Sequence, residues 1–458
     1  MSRGFESHTL RDSITSRRLQ NRKNPERMRV SAHKPATRGR RTVARHGELS
    51  SPHPVSLILK VIGVVLAVVM VSGAGVAAYA AYDLTSGLTE DAIALEGQDT
   101  VPPDIGAIEG GVNLFLAGTD ACEPEYADLF GDRCTGADAG GELNDVNMLV
   151  HISDEPRRVT VVSFPRDLMV SIPECTREDG STSAAMDYQP LNTAFTVGGL
   201  NCVVKTISQL SGMNIPFAAK VTWGGVIEIT DAIGGVEVCL ASGIKDPYTG
   251  IDWPAGNREI SGMDALQFLR TRHGVGDGSD LGRIANQQQY MSRLARKLIS
   301  DEVLADPATL YRLATTAVDN VTPSQSLTNP LTLVQIALAV KKVPFDEIVF
   351  AQYPVAEDPW DANKVVPDEA AADELWSALA ANEPIALSGE IGSNGGVVAG
   401  DDTEADAGDT EATATPTPEA TGEATAEPTE ETIELPSSIT GSTAAQSTCS
   451  NGNLRGSD

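Results

Sequence analysis

Histidine, basic residues beyond the first sixty positions and long apolar runs are all scarce here. Each scarcity closes off a class of function. Only six of the 458 residues are histidine, and four of them (His8, His33, His46, His53) lie in the first 54 positions. His151 and His273 are all that remain, which removes any multi-histidine metal centre and weakens a serine–histidine–aspartate mechanism. No GxSxG turn occurs. The one notable SxxK pair, Ser31–Lys34, sits in the basic N-terminal arm, so a penicillin-binding-type serine has no support. His151 falls mid-strand and reads as a core histidine.

The shortage of basic residues is regional. Residues 1–54 hold 13 Lys/Arg against 4 Asp/Glu, whereas residues 83–458 hold 20 basic against 59 acidic residues. Between them lies one long apolar run, Val61–Tyr82, without a charge. As a helix it would span roughly 33 Å, enough for a bilayer core. Ala78-Tyr79-Ala80 resembles a cleavage site, but the long basic leader argues for an uncleaved anchor. The basic flank then places the N-terminus in the cytoplasm and the larger part of the chain outside. The first 54 residues read as a disordered arm that meets anionic lipid or fixes topology. No nucleic-acid-binding fold accompanies its charge, so no nucleic-acid partner is expected.

Cysteine is missing from the first 121 residues, and all six fall on the outer side. An oxidising compartment suits disulfides. Cys122–Cys134 would close a short polar loop and Cys175–Cys202 another. Cys239 lies in a strand pattern and Cys449 in the tail; a pairing between them and a buried free thiol at Cys239 both remain open.

Along the chain the expected units are a basic arm (1–54), a transmembrane helix (55–82), a connector (83–105), a folded domain (106–388) and an acidic Thr/Pro/Glu-rich disordered tail (389–458). Short apolar runs at 112–117, 148–152, 159–164, 218–222, 236–240 and 347–353 read as strands. Helical patterns appear at 196–210, 226–233, 262–269, 281–300, 307–317, 331–341 and 368–381. The fold class is α/β: a three-layer α-β-α sandwich with a mixed central sheet, preceded by one transmembrane helix.

What remains for chemistry is carboxylates and arginines near strand ends. Asp120 follows VNLFLAGT, Asp145 precedes VNMLVHI, and Arg166 follows VTVVSFP. Arg270 and Arg272 close an apolar helix, a glycine-rich loop follows, and Arg283 and Gln287 lie four apart on one face of the next helix. Guanidinium groups bind phosphate oxygens bidentately and stay charged at any working pH. Asp120 with Asp145 would suit Mg²⁺, which takes a few carboxylates plus phosphate oxygens. Together these residues describe a pyrophosphate–cation site.

These motifs resemble the LytR–CpsA–Psr family of cell-wall enzymes over about residues 110–300. The matching segments are NLFLAGTD (Asn113–Asp120), NDVNMLVHI (Asn144–Ile152), VVSFPRDLMVSIP (Val161–Pro173), PLNTAFTVGG (Pro190–Gly199), DAIGGVEV (Asp231–Val238), and LRTRH, SDLGRI and QQQ between Leu269 and Gln289. The resemblance implies transfer of a glycopolymer from a polyprenyl-pyrophosphate carrier to peptidoglycan, usually onto the muramic acid 6-hydroxyl, with Mg²⁺. By it, Arg166, Arg270, Arg272, Arg283 and Gln287 would bind the pyrophosphate, and Asp120 and Asp145 the cation. Asp145 would serve as cation ligand or as the base for the acceptor hydroxyl. Leu143 stands where the family commonly has an arginine, and Arg133 is the candidate to replace it. Phe195, Val197, Val226, Ile229 and Ile233 are candidates to meet the lipid tail, though ordinary core is the stronger reading of such a stripe. The competing functions are a non-catalytic envelope-sensing or wall-binding protein and a polyprenyl-pyrophosphate phosphatase.

Overall fold

The computed structural model describes residues 86–89, 91–99, 101, 111–136, 141–400 and 432–453, apart from 178, 301, 302, 304, 393 and 394, and isolated positions between 62 and 82. The basic arm and most of the expected transmembrane segment lie outside the described residues. Among those described, no helix is long and apolar enough to cross a membrane.

A seven-stranded mixed sheet forms the centre. Its strands, in chain order, are β1 (Val112–Thr119), β2 (Asn144–Ile152), β3 (Val159–Phe164), β4 (Phe217–Thr222), β7 (Val321–Pro323), β8 (Ile348–Gln352) and β10 (Gly441–Thr443). They lie in the order β7-β4-β1-β2-β3-β8-β10. A second, four-stranded sheet contains β5 (Val236–Leu240), β6 (Gly256–Ile260), β9 (Val397–Ala399) and β11 (Thr448–Ser450), in the order β6-β5-β11-β9.

Period-two alternation sends side chains of the central sheet to two separate cores. Phe115, Leu149, Val162, Ala218 and Ala351 face one side, with α1 (Asn192–Ser211) and α7 (Glu369–Ala381). Leu114, Met148, Val161, Phe217 and Phe350 face the other, with Met291 of α4 (Asp280–Ile299) and Ile336 and Val340 of α6 (Pro330–Lys341). Three further long helices are α2 (Trp223–Ala232), α3 (Gly262–Arg270) and α5 (Pro307–Asn320).

Four expectations change. The helix expected from Thr196 begins at Asn192 and is broken at Gly198–Gly199, where Gly199 takes φ 63° and ψ −156°, a conformation open only to glycine. The connector is partly built into the domain, with Ile93 N–H donating to Pro323 O at 2.9 Å and Gln325 N–H to Ile93 O at 2.8 Å. The tail is not disordered throughout. Residues 401–431 lie outside the described residues, but Gly441–Thr443 adds an edge strand beside β8 and Thr448–Ser450 enters the second sheet. Average composition hid this, because backbone pairing to a sheet edge needs only a few residues and little apolar area. Finally, all six cysteines are paired: Cys122–Cys134 and Cys175–Cys202 as expected, and Cys239 with Cys449 across 210 residues of sequence.

Candidate active site

Strand direction gathers the site. β1 runs antiparallel to β2, and β2 antiparallel to β3, with Thr119 opposite Asn144 and Asn147 opposite Phe164. The end of β1, the start of β2 and the end of β3 therefore share one sheet edge, bringing Asp120, Asp145 and Arg166 together. Asp120 and Arg166 thus follow the carboxyl ends of β1 and β3, which run the same way, and Asp145 comes from β2, which runs opposite to both.

Asp120 is buried, accepting from Leu143 N–H at 2.6 Å and from Arg133 Nε at 2.8 Å. Arg133 also donates through Nη2 to Gly141 O at 2.6 Å and to Asp120 O at 3.2 Å. It sits in the short helix Asp132–Thr135, beside the Cys122–Cys134 bridge. Its charge thus reaches this edge past exposed Leu143, but as the partner of Asp120.

Asp145 Oδ1 accepts from Arg166 Nη1 at 2.6 Å. Arg166 lies 3.5 Å from Asp167 and 4.0 Å from Asp280. Burial opposes the charged guanidinium, but Asp145, Asp280 and Asp167 outweigh it and hold Arg166 above its ordinary value. Asp167 is kept below the usual carboxylate range: burial works against this, and the bond from Lys364 with the charge of Arg166 prevails.

Ser279 caps α4, accepting from Gly282 N–H at 3.2 Å. One turn in, Arg283 forms an ion pair with Asp280 and donates to Asp145 O at 3.3 Å. Arg166 Nε and Arg283 Nε are buried and have no hydrogen-bond partner. Buried donors of that kind are costly unless a ligand completes them.

Helix α3 ends at Arg270, and Thr271 is extended, so Arg272 lies beyond the helix. Arg270 lies 3.8 Å over the Trp223 ring, and burial pushes its pKa down. Arg272 instead donates to Gly278 O at 3.0 Å, bracing the glycine-rich loop. Gln287 donates to Leu269 O at 2.9 Å.

Beneath this edge, a cavity of about 210 Å³ runs between the sheet and helices α2, α3 and α4. Its walls are almost wholly apolar, including Leu116, Met148, Val226, Ile229, Leu266 and Leu294. Asp145, Arg270, Arg283 and Gln287 are also among its lining residues. Of the lipid-tail candidates, Val226 and Ile229 line this cavity. Ile233 belongs to the core of the second sheet, and Phe195 and Val197 lie at a groove on the other face.

The sequence reading missed the residues that hold the arginine loop. Asp246, fully buried, accepts from Thr271 Oγ1 at 2.8 Å, Arg272 N–H at 3.1 Å and Gly274 N–H at 3.2 Å. From the tail, Asn451 O accepts Gly276 N–H at 3.1 Å, and Asn453 donates to His273 O at 2.7 Å. Nothing in local spacing links these distant segments to the loop. The turn-like DPYTG after Lys245 was the one available cue.

Among the described residues no group of three His, Cys, Asp or Glu forms a metal cage. A carboxylate oxygen has two acceptor sites. Asp120 and Asp145 therefore keep capacity for a hard cation that takes its other ligands from phosphate and water.

The LcpA cell wall biosynthesis protein of Corynebacterium glutamicum is 29% identical over 311 residues, covering 63% of this chain and 58% of that protein. A probable cell wall biosynthesis protein, LcpB, from the same organism is 31% identical over 287 residues, covering 61% of this chain and 64% of that protein. The chain thus spans about three fifths of the length of these curated relatives. Among solved structures, a LytR-Csp2A-Psr enzyme from Actinomyces oris matches 63% of this chain and 94% of its own, with 22% identity and a TM-score of 0.46. The sequence profile of the LytR_cpsA_psr family matches residues 78–381, well over half of the chain. The chain belongs to the LytR–CpsA–Psr family.

Proposed function

We propose that this protein transfers a glycopolymer from a polyprenyl-pyrophosphate carrier to peptidoglycan, onto a hydroxyl such as the muramic acid 6-hydroxyl. The observation that carries the reading is the union of an apolar cavity with the buried, unpartnered Arg283 Nε donor at its lining, beside Asp145, which holds Arg166 and its own unpartnered Nε. A lipid tail suits the first and a diphosphate the second.

In the reaction, the acceptor hydroxyl oxygen attacks the phosphorus that bears the glycopolymer. The bond from that phosphorus to the bridging oxygen breaks, and polyprenyl phosphate leaves with the electron pair. The acceptor proton passes to the Asp145 carboxylate. Arg166 and Arg283, held in orientation by Asp145 and Asp280, bind the phosphate oxygens on which negative charge grows. Arg270 neutralises the diphosphate from the Trp223 side. Were Asp145 the cation ligand instead of the base, a Mg²⁺ ion held by it and Asp120 would supply further charge neutralisation on the phosphates. Val61–Tyr82 would anchor the chain in the cell membrane, with the N-terminus cytoplasmic and the catalytic domain outside.

The test is transfer by the full chain in detergent, using a polyprenyl-pyrophosphate-linked polymer and peptidoglycan. Arg283→Ala should lower the rate by ~10²–10³, the usual cost of one transition-state donor. Transfer by Arg283→Ala at the unmutated rate would overturn the assignment. Release of free polymer phosphate in place of the ligated product would identify a phosphatase.

A further inference from the structure

The motif PLNTAFTVGG (Pro190–Gly199) has no part in the lipid and phosphate site, yet the structure ties it to the same edge. Asn192 N–H donates to Arg166 O at 3.2 Å, so α1 starts directly behind a pyrophosphate-binding residue. One turn later α1 lines an open groove of about 470 Å³ with Phe195, Thr196 and the Gly198–Gly199 break. This groove lies on the opposite sheet face from the apolar cavity, since Phe195 packs with Phe115 and Leu149, whereas Leu116 and Val146 belong with the other core.

Its lining differs in kind. Lys220, Glu142, Arg177 and Asp179 bring both signs of charge. Lys220 pairs with Glu142 at 3.0 Å and lies 5.8 Å from the Phe195 ring centroid. At the glycine break the groove meets bare backbone, which allows close approach by a ligand. That break is pinned, because a Cβ at Gly198 would come within 2.8 Å of Cys202 and 3.1 Å of Cys175, the bonded pair behind it. Gly141 and Glu142 form the rim and lead straight to the phosphate edge: Gly141 O accepts from Arg133, and the next residue, Leu143, donates to Asp120.

We infer that this groove receives the acceptor, a glycan strand of amino sugars carrying peptide carboxylates, with Lys220 and Arg177 meeting the carboxylates. The inference rests on the transferase reading above and names its second substrate site. A transfer reaction needs the attacking hydroxyl to reach the phosphorus without crossing the lipid, and a groove on the far sheet face that opens at the same edge provides that route.

Two variants of the full chain test it: Thr196→Trp, an exposed position that fills the groove, and Lys220→Gln. Both should raise the KM for soluble peptidoglycan strands roughly tenfold at little change in kcat, and leave the affinity for polyprenyl pyrophosphate intact. Saturation-transfer NMR of wild type with soluble strands gives a readout independent of turnover, and the signal should weaken in both variants. An unchanged acceptor KM and an unchanged NMR signal would sink the groove while leaving the transferase reading standing. A weakened affinity for the polymer-linked donor with unaltered acceptor KM would also overturn it, assigning the groove to the donor's sugars. Failure of wild type to bind polyprenyl pyrophosphate strikes the transferase reading instead, and the strand-binding NMR still decides the groove.

Discussion

The two faces of the central sheet receive apolar side chains of similar kind, yet beneath the helices the interior of one is filled and that of the other is not. Toward α1 and α7, Phe115, Leu149 and Val162 meet Leu200, Val203, Ile207 and Leu375, all at most 1% exposed. Toward α2, α3 and α4, Leu116, Val146 and Met148 stand over a cavity whose lining includes Arg283 and Gln287. Close-packed interiors seldom keep a void of this size without an occupant. The difference teaches that apolar content does not distinguish a core from a lipid site; the filling helices do.

The largest contrast should come from truncation on the filled face. Leu149→Ala should lower unfolding free energy by about 2–5 kcal/mol, since it opens a new cavity in packed core. Urea denaturation measures this, and a loss below ~1 kcal/mol would remove the claimed asymmetry.

Next is the staple from the tail to the second sheet, behind the open face. Replacing both Cys239 and Cys449 by serine should cost about 2–4 kcal/mol. It should also speed hydrogen exchange at Gly276 N–H, which donates to Asn451 O. Unchanged exchange there would show that the tail does not hold the arginine loop.

Third, the filled face contains a polar pair, His151 Nδ1 and Asn113 Oδ1 at 2.8 Å. Burial pushes the His151 pKa from 6.5 down to about 4. The unfolded chain therefore takes up the proton first. Stability from this residue is complete above pH ~6.5 and falls as pH drops toward ~4, by on the order of 3 kcal/mol in total. Denaturation across that range checks it, with His151→Leu as the variant in which this part of the slope disappears.

The smallest effect belongs to Ile229→Ala. It widens an existing cavity, so stability should change by less than about 1 kcal/mol while affinity for a polyprenyl chain falls. A stability loss comparable to that of Leu149→Ala would mean the two faces are packed alike.

Much of this was legible in the chain. The strands Val159–Phe164 and Val236–Leu240 follow from short apolar runs between breakers, and their bounds agree with expectation. Asp120, Asp145, Arg166, Arg270, Arg283 and Gln287 were marked by residue type and by position near strand and helix ends. Arg272 was named for the phosphate and braces the loop through Gly278. Asp246 was missed because its four bonds are made to residues both adjacent and some 25 positions away, so no spacing announces it. The tail strands were missed because their segments are short and polar, and only an available sheet edge gives them a partner.

By itself the sequence determined most elements up to the tail, the reserve of arginines and carboxylates, and the family, because periodicity, residue chemistry and motif order are local properties. Tertiary structure alone decided which face keeps a cavity, which acids hold which arginines, and that Cys449 returns to Cys239. Those depend on strand direction and on helix placement over the sheet, through contacts between distant residues, 210 positions apart for the Cys239–Cys449 pair, and local patterning cannot encode them.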